Sequence, residues 1–209
     1  SNDEIDAYAA MAKTAAQNLG SFYSGLQAAL VGMMVSPDFL FRIERSVPNP
    51  ELPGTRRLDA WSRASRLSFF LWNTTPNPTL LEAARSGDLM FEAGLNRQIE
   101  TMMLSPRIED GLRAFFSDML AFDRFKTLDI DSNLFPKFTK NVEDEAREQT
   151  LRTISHHLLN KEADYRELLN SRETFLTPAL AALYSVPIPI HQELGGRVPW
   201  VPYEYSEDH

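Results

Sequence analysis

Leu67-Ser68-Phe69-Phe70-Leu71-Trp72-Asn73 decides the reading of this chain, with Arg63 and Arg66 ahead of it and Pro76 and Pro78 behind. The stretch predicts a helix from Asp59 to Trp72 that is apolar on nearly every side and stops at Asn73. Such a helix belongs in the middle of a packed domain rather than on its surface. It points to an architecture and carries no chemistry of its own.

The same grammar repeats on both sides. Asp3 to Asn18 is Ala-rich and ends at Gly20, a natural helix stop. After Ser21, the residues Phe22, Leu26, Ala29, Leu30, Met33 and Met34 recur at helical spacing. Ser36-Pro37, Asn77-Pro78 and Thr177-Pro178 each read as a polar N-cap followed by proline at the first helical position, where its missing N–H is harmless. Leu95, Ile99, Met102 and Met103 form one stripe. Ile108, Leu112, Phe115, Phe116, Met119 and Leu120 form the strongest one. A long helix is expected over Asn141–Asn160 and short ones around Tyr165–Asn170 and up to Tyr184. Pro48, Pro50, Pro53 and Gly54 make the stretch from Ser46 to Thr55 a loop, and no segment alternates long enough to read as a strand.

The expected fold is therefore all-α: an irregular multi-helix bundle of about eight to ten helices with a Pro/Gly-rich, non-helical C-terminal tail. Residues 1–46 are read as N-terminal helices packed on the main body, 47–186 as the main helical domain, and 187–209 as an irregular tail or linker. The predicted core is Leu26, Leu30, Phe39, Leu67, Phe70, Leu71, Ile99, Leu112, Phe115, Phe116, Leu120, Ile154, Leu158, Leu180 and Leu183. Met33-Met34-Val35-Ser36-Pro37 is echoed by Met102-Met103-Leu104-Ser105-Pro106. The echo reads either as a duplicated helical unit or as the same capping grammar used twice.

Composition narrows the function classes. The 209 residues are 43% hydrophobic and 24% charged, as in ordinary globular proteins. A net charge of −8 argues against a general nucleic-acid binder and against docking on an anionic membrane. No apolar run approaches the roughly 20 residues that would cross a bilayer, and no signal peptide is read at the start. The absence of cysteine removes disulfides, thiolate nucleophiles, zinc–thiolate sites and covalently attached c-type haem.

Reactive sets are sparse. On the long helix Glu143, Arg147 and His157 are the candidate catalytic or ligand-binding residues, grouped as a polar cluster beside the face centred on Ile154. The competing reading is a solvated helix start, with acids favoured by the dipole, and a hydrogen-bonded histidine at the core edge. Glu145, Gln149, Arg152 and His156 are expected on the opposite, outer side. Neither His156 nor His157 follows a glutamate by three residues, His191 and His209 lie in the tail, and no metal site is expected. Gly195-Gly196 lacks the context of a phosphate loop. No cofactor is expected in this chain. Trp200, Tyr203 and Tyr205, set among Pro199 and Pro202, are candidate partner-binding residues, or belong to a segment that folds back over its own domain or leads into a following one.

Ser36-Pro-Asp-Phe-Leu-Phe-Arg-Ile-Glu44 and Arg66-Leu-Ser-Phe-Phe-Leu-Trp-Asn73 with Pro76 closely resemble domain of unknown function 1592. Met103-Leu-Ser-Pro-Arg107 and Thr174-Phe-Leu-Thr-Pro-Ala-Leu-Ala-Ala-Leu-Tyr184 extend the resemblance. Residues ahead of Ser36 resemble the end of the small helical domain that usually precedes it, domain of unknown function 1595. The resemblance implies a module of a large, exported, multi-domain protein of the planctomycete and myxobacterial kind. Some such proteins carry a cytochrome-c-like module elsewhere. It implies an extracytoplasmic location and, as partners, other domains of the parent protein or a separate protein. It supplies no activity and no catalytic residues, so whether the chain is an enzyme stays open. The leading expectation is a non-catalytic structural or interaction module; the alternative is a helical enzyme or small-ligand-binding domain using the Asn141–Asn160 helix. Two departures stand out: Glu173-Thr-Phe-Leu-Thr177 replaces the usual Tyr-Thr-Phe-x-Asn, and Tyr184-Ser185-Val186 replaces Tyr-Gly-Ile or Tyr-Gly-Val.

Overall fold

A computed structural model describes residues 2–127, 130–131, 133–188 and 200–206. Its contacts divide the chain into two compact units, Ser1–Arg66 with Asn77–Leu95, and Leu67–Pro76 with Asn96–His209. Among the described residues there are nine α-helices, and the fold is all-α as expected. The expectations on His191, Gly195-Gly196, Pro199 and His209 lie outside the described residues.

The first unit opens with two helices, α1 (Asn2–Leu19) and α2 (Phe22–Met34), followed by the single turn α3 (Pro37–Leu40). Ser21 and Ser36 cap α2 and α3 through their side chains, accepting from the backbone N–H of Ser24 and Phe39. The α1–α2 pair is held by small residues. A Cβ on Gly25 would lie 2.4 Å from the Ala12 carbonyl oxygen and 2.8 Å from the Ala16 Cβ. One on Gly32 would lie 2.8 Å from Met11 Sδ. Gly25 and Ala29 are the buried residues of α2, so the helices meet where side chains are smallest.

This geometry corrects the predicted core. Leu26, Leu30 and Phe39 are exposed. At ~100° per residue, Gly25, Ala29 and Gly32 form one stripe of α2, and Phe22, Leu26, Leu30 and Met33 the stripe next to it. Close backbone approach selects the glycine side, and the large side chains are left outside.

Further along the unit, Ser46–Pro48 and Arg56–Leu58 pair antiparallel as β1 and β2, with Ser46 opposite Leu58. The Pro-rich loop is thus the connection of a small hairpin; three-residue strands are too short to show alternation. Asp59 starts α4 (Ala60–Trp72) by accepting from the Ser62 N–H at 2.7 Å. Asn77 caps α5 (Pro78–Arg85) in the same way at 2.8 Å. Arg63 donates to the Leu89 carbonyl at 3.1 Å, tying α4 to the short 3₁₀ turn at Asp88–Met90 that precedes α6 (Glu92–Met103).

Helix α4 is one-sided rather than apolar and buried all round. Ala64, Ser68, Leu71 and Trp72 are buried, whereas Trp61, Phe69 and Phe70 are exposed, Phe70 by 71%. The buried stripe recurs at four- and three-residue spacing, and its first half is made of small residues. The predicted core included Phe70 and left out Trp72, the reverse of the burial seen. Asn73 does end the helix, with φ 51°.

In the second unit Trp72 donates its indole N–H to the Met102 carbonyl at 3.0 Å, and the Arg107 guanidinium lies 5.6 Å from the Trp72 ring. α7 (Ile108–Met119) approaches closely here: a Cβ on Gly111 would lie 2.1 Å from the Leu71 carbonyl oxygen. Ser105 Oγ accepts from the Arg107 N–H, and α7 starts only at Ile108. The second Ser-Pro is therefore a turn between helices, unlike Ser36-Pro37, where proline opens α3 directly. Phe115 is exposed and Leu120 is over a third exposed, against expectation, while Phe116 joins Phe122, Leu151 and Ile154 in a buried cluster.

The long helix α8 (Lys140–Ser155) continues into a π-turn over His156–Asn160. A 3₁₀ turn (Tyr165–Leu169), strand β3 (Glu173–Leu176), helix α9 (Pro178–Tyr184) and strand β4 (Val201–Glu204) complete the unit. β3 and β4 pair antiparallel, Glu173 opposite Glu204 and Leu176 opposite Val201. Val142, Leu176, Leu180, Ala181 and Val186 form a second buried cluster. Ser185 adopts φ 59° at the end of α9.

Candidate functional site

Everything of chemical interest in the second unit converges on α8. No residue from 145 to 159 is fully exposed, so the helix is covered on both sides. Leu151 and Ile154 face the Phe116–Phe122 cluster, as the periodicity implies. The side predicted to face outward is also covered, by β3 and α9, and it is held by hydrogen bonds.

Proton accounting orients this polar seam. Tyr184 OH donates to Gln149 Oε1 at 3.0 Å, which fixes the amide with its nitrogen toward Thr174. Gln149 Nε2 donates to Thr174 Oγ1 at 2.9 Å. Thr153 gives its one hydroxyl hydrogen to the Gln149 carbonyl at 2.9 Å. In the 3.3 Å contact between the two threonines, Thr174 must therefore be the donor. Beside this relay, Thr177 donates to Glu145, and the same hydroxyl accepts from the Leu180 N–H at 3.2 Å to cap α9. His156 meets Phe175 edge-on, ring centres 5.2 Å apart. Burial raises the Tyr184 phenol above its ordinary value of 10.0, which keeps it a donor.

The three predicted site residues do not form one cluster. Glu143 and Arg147 lie a single turn apart on α8, but His157 is ten residues beyond Arg147, about 15 Å along the axis. Arg147 pairs with Asp144 at 3.6 Å, lies 5.9 Å from the centre of the Phe122 ring, and keeps a buried Nε without a partner. His157 is buried in the π-turn, its Nε2 bonded to the Asp164 carbonyl at 2.9 Å. That bond closes the turn after α8.

Arg152, expected on the outer side, stacks 5.1 Å from the centre of Trp200 and pairs with Glu148 at 2.9 Å. Glu148 also accepts from Arg113 of α7. Trp200, Tyr203 and Tyr205 are half-buried and pack against the Val142–Leu180 cluster, with the two tyrosine rings 5.1 Å apart. Among the described residues no group of three or more His, Asp or Glu is placed to hold a metal ion. No helix there is long and apolar enough to cross a membrane. Gln149, Thr153 and Thr174 were missed in sequence; the one available signal was that polar residues at i and i+4 are short and uncharged where a solvated face carries charge.

The first unit offers a surface instead of a seam. Phe22, Tyr23, Leu26, Leu30, Val31, Met33, Met34, Val35, Phe39, Leu40 and Phe41 are all exposed, Phe22 and Tyr23 by 74% and 79%. These side chains crowd the 20 positions from Phe22 to Phe41, which hold α2, α3 and the turn between them.

The two parts define a protein built from helical modules with a hydrogen-bonded polar seam in one unit and an exposed apolar face in the other. Residues 58–186, well over half of the chain, match the family described as PSD4, protein of unknown function (DUF1592), and the chain belongs to that family. Residues 1–44 match PSD5, protein of unknown function (DUF1595). No curated protein matches. No solved structure matches either.

Proposed function

We propose that this chain is a non-catalytic interaction module of a larger exported, multi-domain protein, and that α2 and α3 are its docking face. The observation that supports this reading is the inverted burial of α2: small residues inside, eleven large apolar side chains exposed along α2 and α3. Contiguous exposed apolar surface of this kind marks interaction sites in folded proteins. The face carries no charge between Phe22 and Pro37, so it suits an apolar helical surface of another domain of the parent protein. In that reading the module works outside the cytoplasm, holds no cofactor of its own, and helps place a cytochrome-type redox module against its neighbour.

The test uses the parent's remaining domains expressed separately and titrated against this chain by calorimetry. Saturable binding is expected. Leu30→Asp, on the exposed side of α2, abolishes it and leaves the melting temperature unchanged. Binding that survives Leu30→Asp, or self-association through α2 with no binding of the other domains, overturns the proposal.

A further inference from the structure

A groove of about 360 Å³ opens beside the polar seam of the second unit. Phe116, Met119, Ile154, Tyr165, Leu168 and Leu169 supply its apolar walls, and Gln149, Thr150, Thr153 and Thr174 its polar floor. In a chain that is 24% charged, not one lining residue carries a charge. We propose that this groove binds a small neutral molecule with an apolar body and one hydrogen-bonding oxygen.

Three observations define that ligand. The volume is in the range of small-molecule sites, and an apolar cavity of roughly 150 Å³ already holds benzene. An ionised ligand would lose its hydration here with no opposite charge to replace it. The floor is also short of donors. The hydroxyl hydrogens of Thr150, Thr153 and Thr174 are committed to Ala146, Gln149 and Thr153, respectively. Gln149 spends one amide hydrogen on Thr174, and its second stands outside the relay as a donor for an incoming oxygen. The relay holds that amide in a single orientation, so the donor is fixed before the ligand arrives. At the rim, Leu169 is 81% exposed and Met119 about half so, a mouth still open to solvent. The site is independent of the α2 face, and either proposal can fail alone.

The experiment titrates the purified chain with three matched probes: 4-propylphenol, propylbenzene and 4-propylbenzoate. Methyl resonances of Thr150, Thr153, Ile154 and Leu168 report the binding. For 4-propylphenol, saturable shifts confined to these methyls are expected, with a Kd of roughly 0.1–1 mM for a ligand of this size. Propylbenzene should bind several-fold more weakly and 4-propylbenzoate at least tenfold more weakly. Leu169→Asp, an exposed change that leaves the fold intact, should weaken 4-propylphenol several-fold. Equal affinities for the three probes, shifts that do not saturate, or full binding by the Leu169→Asp chain overturns the proposal.

Discussion

Helices α2 and α8 have opposite relations between polarity and burial. α2 is strongly apolar, yet its large side chains are exposed and Gly25 and Ala29 are inside. α8 is the most polar long helix of the second unit, yet residues 145–159 are all at least half-buried. On α2, backbone proximity selects the smallest residues, because dispersion grows as two helices close together and only glycine permits that approach. On α8, hydrogen-bond matching holds the buried seam: Gln149 and Thr153 meet Thr174 of β3 and Tyr184 of α9. Hydrophobicity alone misassigns both helices, in opposite directions.

The largest test of this contrast is size on the small side of α2. Gly25→Leu drives a side chain into the Ala12 carbonyl and Ala16, and is expected to cost about 3 kcal/mol, at the upper end for overpacking. Leu26→Ser, the adjacent residue on the exposed side, should cost less than about 0.5 kcal/mol. Hydrogen exchange of the α1 and α2 amides measures both. If Leu26→Ser proves the more damaging change, the burial of α2 is the reverse of that described.

On α8 the corresponding test removes hydrogen bonding. Gln149→Ala leaves Tyr184 and Thr174 without their partner and is expected to cost about 2 kcal/mol in urea denaturation. Asp144→Ala, on an exposed position of the same helix, should change stability by less than about 0.5 kcal/mol. A double-mutant cycle of Gln149→Ala with Tyr184→Phe should show strong coupling, since both remove one bond. Additive effects would mean that the seam is not a connected network.

These two helices also explain what was legible in advance. Element positions were readable because caps are local: Ser21, Ser36, Asn77 and Thr177 all cap through their side chains. The tail's return to its own unit was one of three open readings, and the β3–β4 pairing joins residues 25 to 31 positions apart, which no local signal encodes. The seam was illegible for the same reason. Gln149 is buried only because Thr174 and Tyr184 lie opposite it, and nothing on α8 records their presence. The predicted set Glu143, Arg147 and His157 came from charge, while burial on this helix follows partners. The core residues Leu26 and Leu30 failed for want of a size rule: Gly25, Ala29 and Gly32 carried the packing signal at four- and three-residue spacing.

Backbone strain gives a smaller test, at the far end of α9 next to Tyr184. Ser185 holds φ 59°, a region that costs non-glycine residues roughly 1–2 kcal/mol. Ser185→Gly relieves that strain. Stability should rise by about 0.5–1 kcal/mol once the greater freedom of glycine in the unfolded chain is subtracted. A fall in the midpoint would mean that the 3.5 Å contact from Lys137 to the Ser185 hydroxyl outweighs the strain.

The smallest expected effect is electrostatic, at the rim where β3 leaves α8. Glu173 stands opposite Glu204 across the strands, a like-charge pair that disfavours the sheet. Lys161 offsets it by donating to both Glu173 carboxylate oxygens, and this holds the Glu173 carboxyl below its ordinary value of 4.5, with smaller help from the charges of Lys161, His156 and His157. A lowered folded value stabilises the fold above the unfolded value and is lost as pH falls through the folded one. The contribution is therefore present above about pH 4.5 and disappears in more acid solution. Glu173 is 43% exposed, so solvent screening limits it to a few tenths of a kcal/mol. Glu173→Gln should flatten the acid side of the stability profile by that amount and leave the neutral side nearly level, since it also removes the repulsion from Glu204. A loss at pH 7 comparable to that of Gln149→Ala would place Glu173 inside the seam and extend hydrogen-bonded burial to the whole of β3.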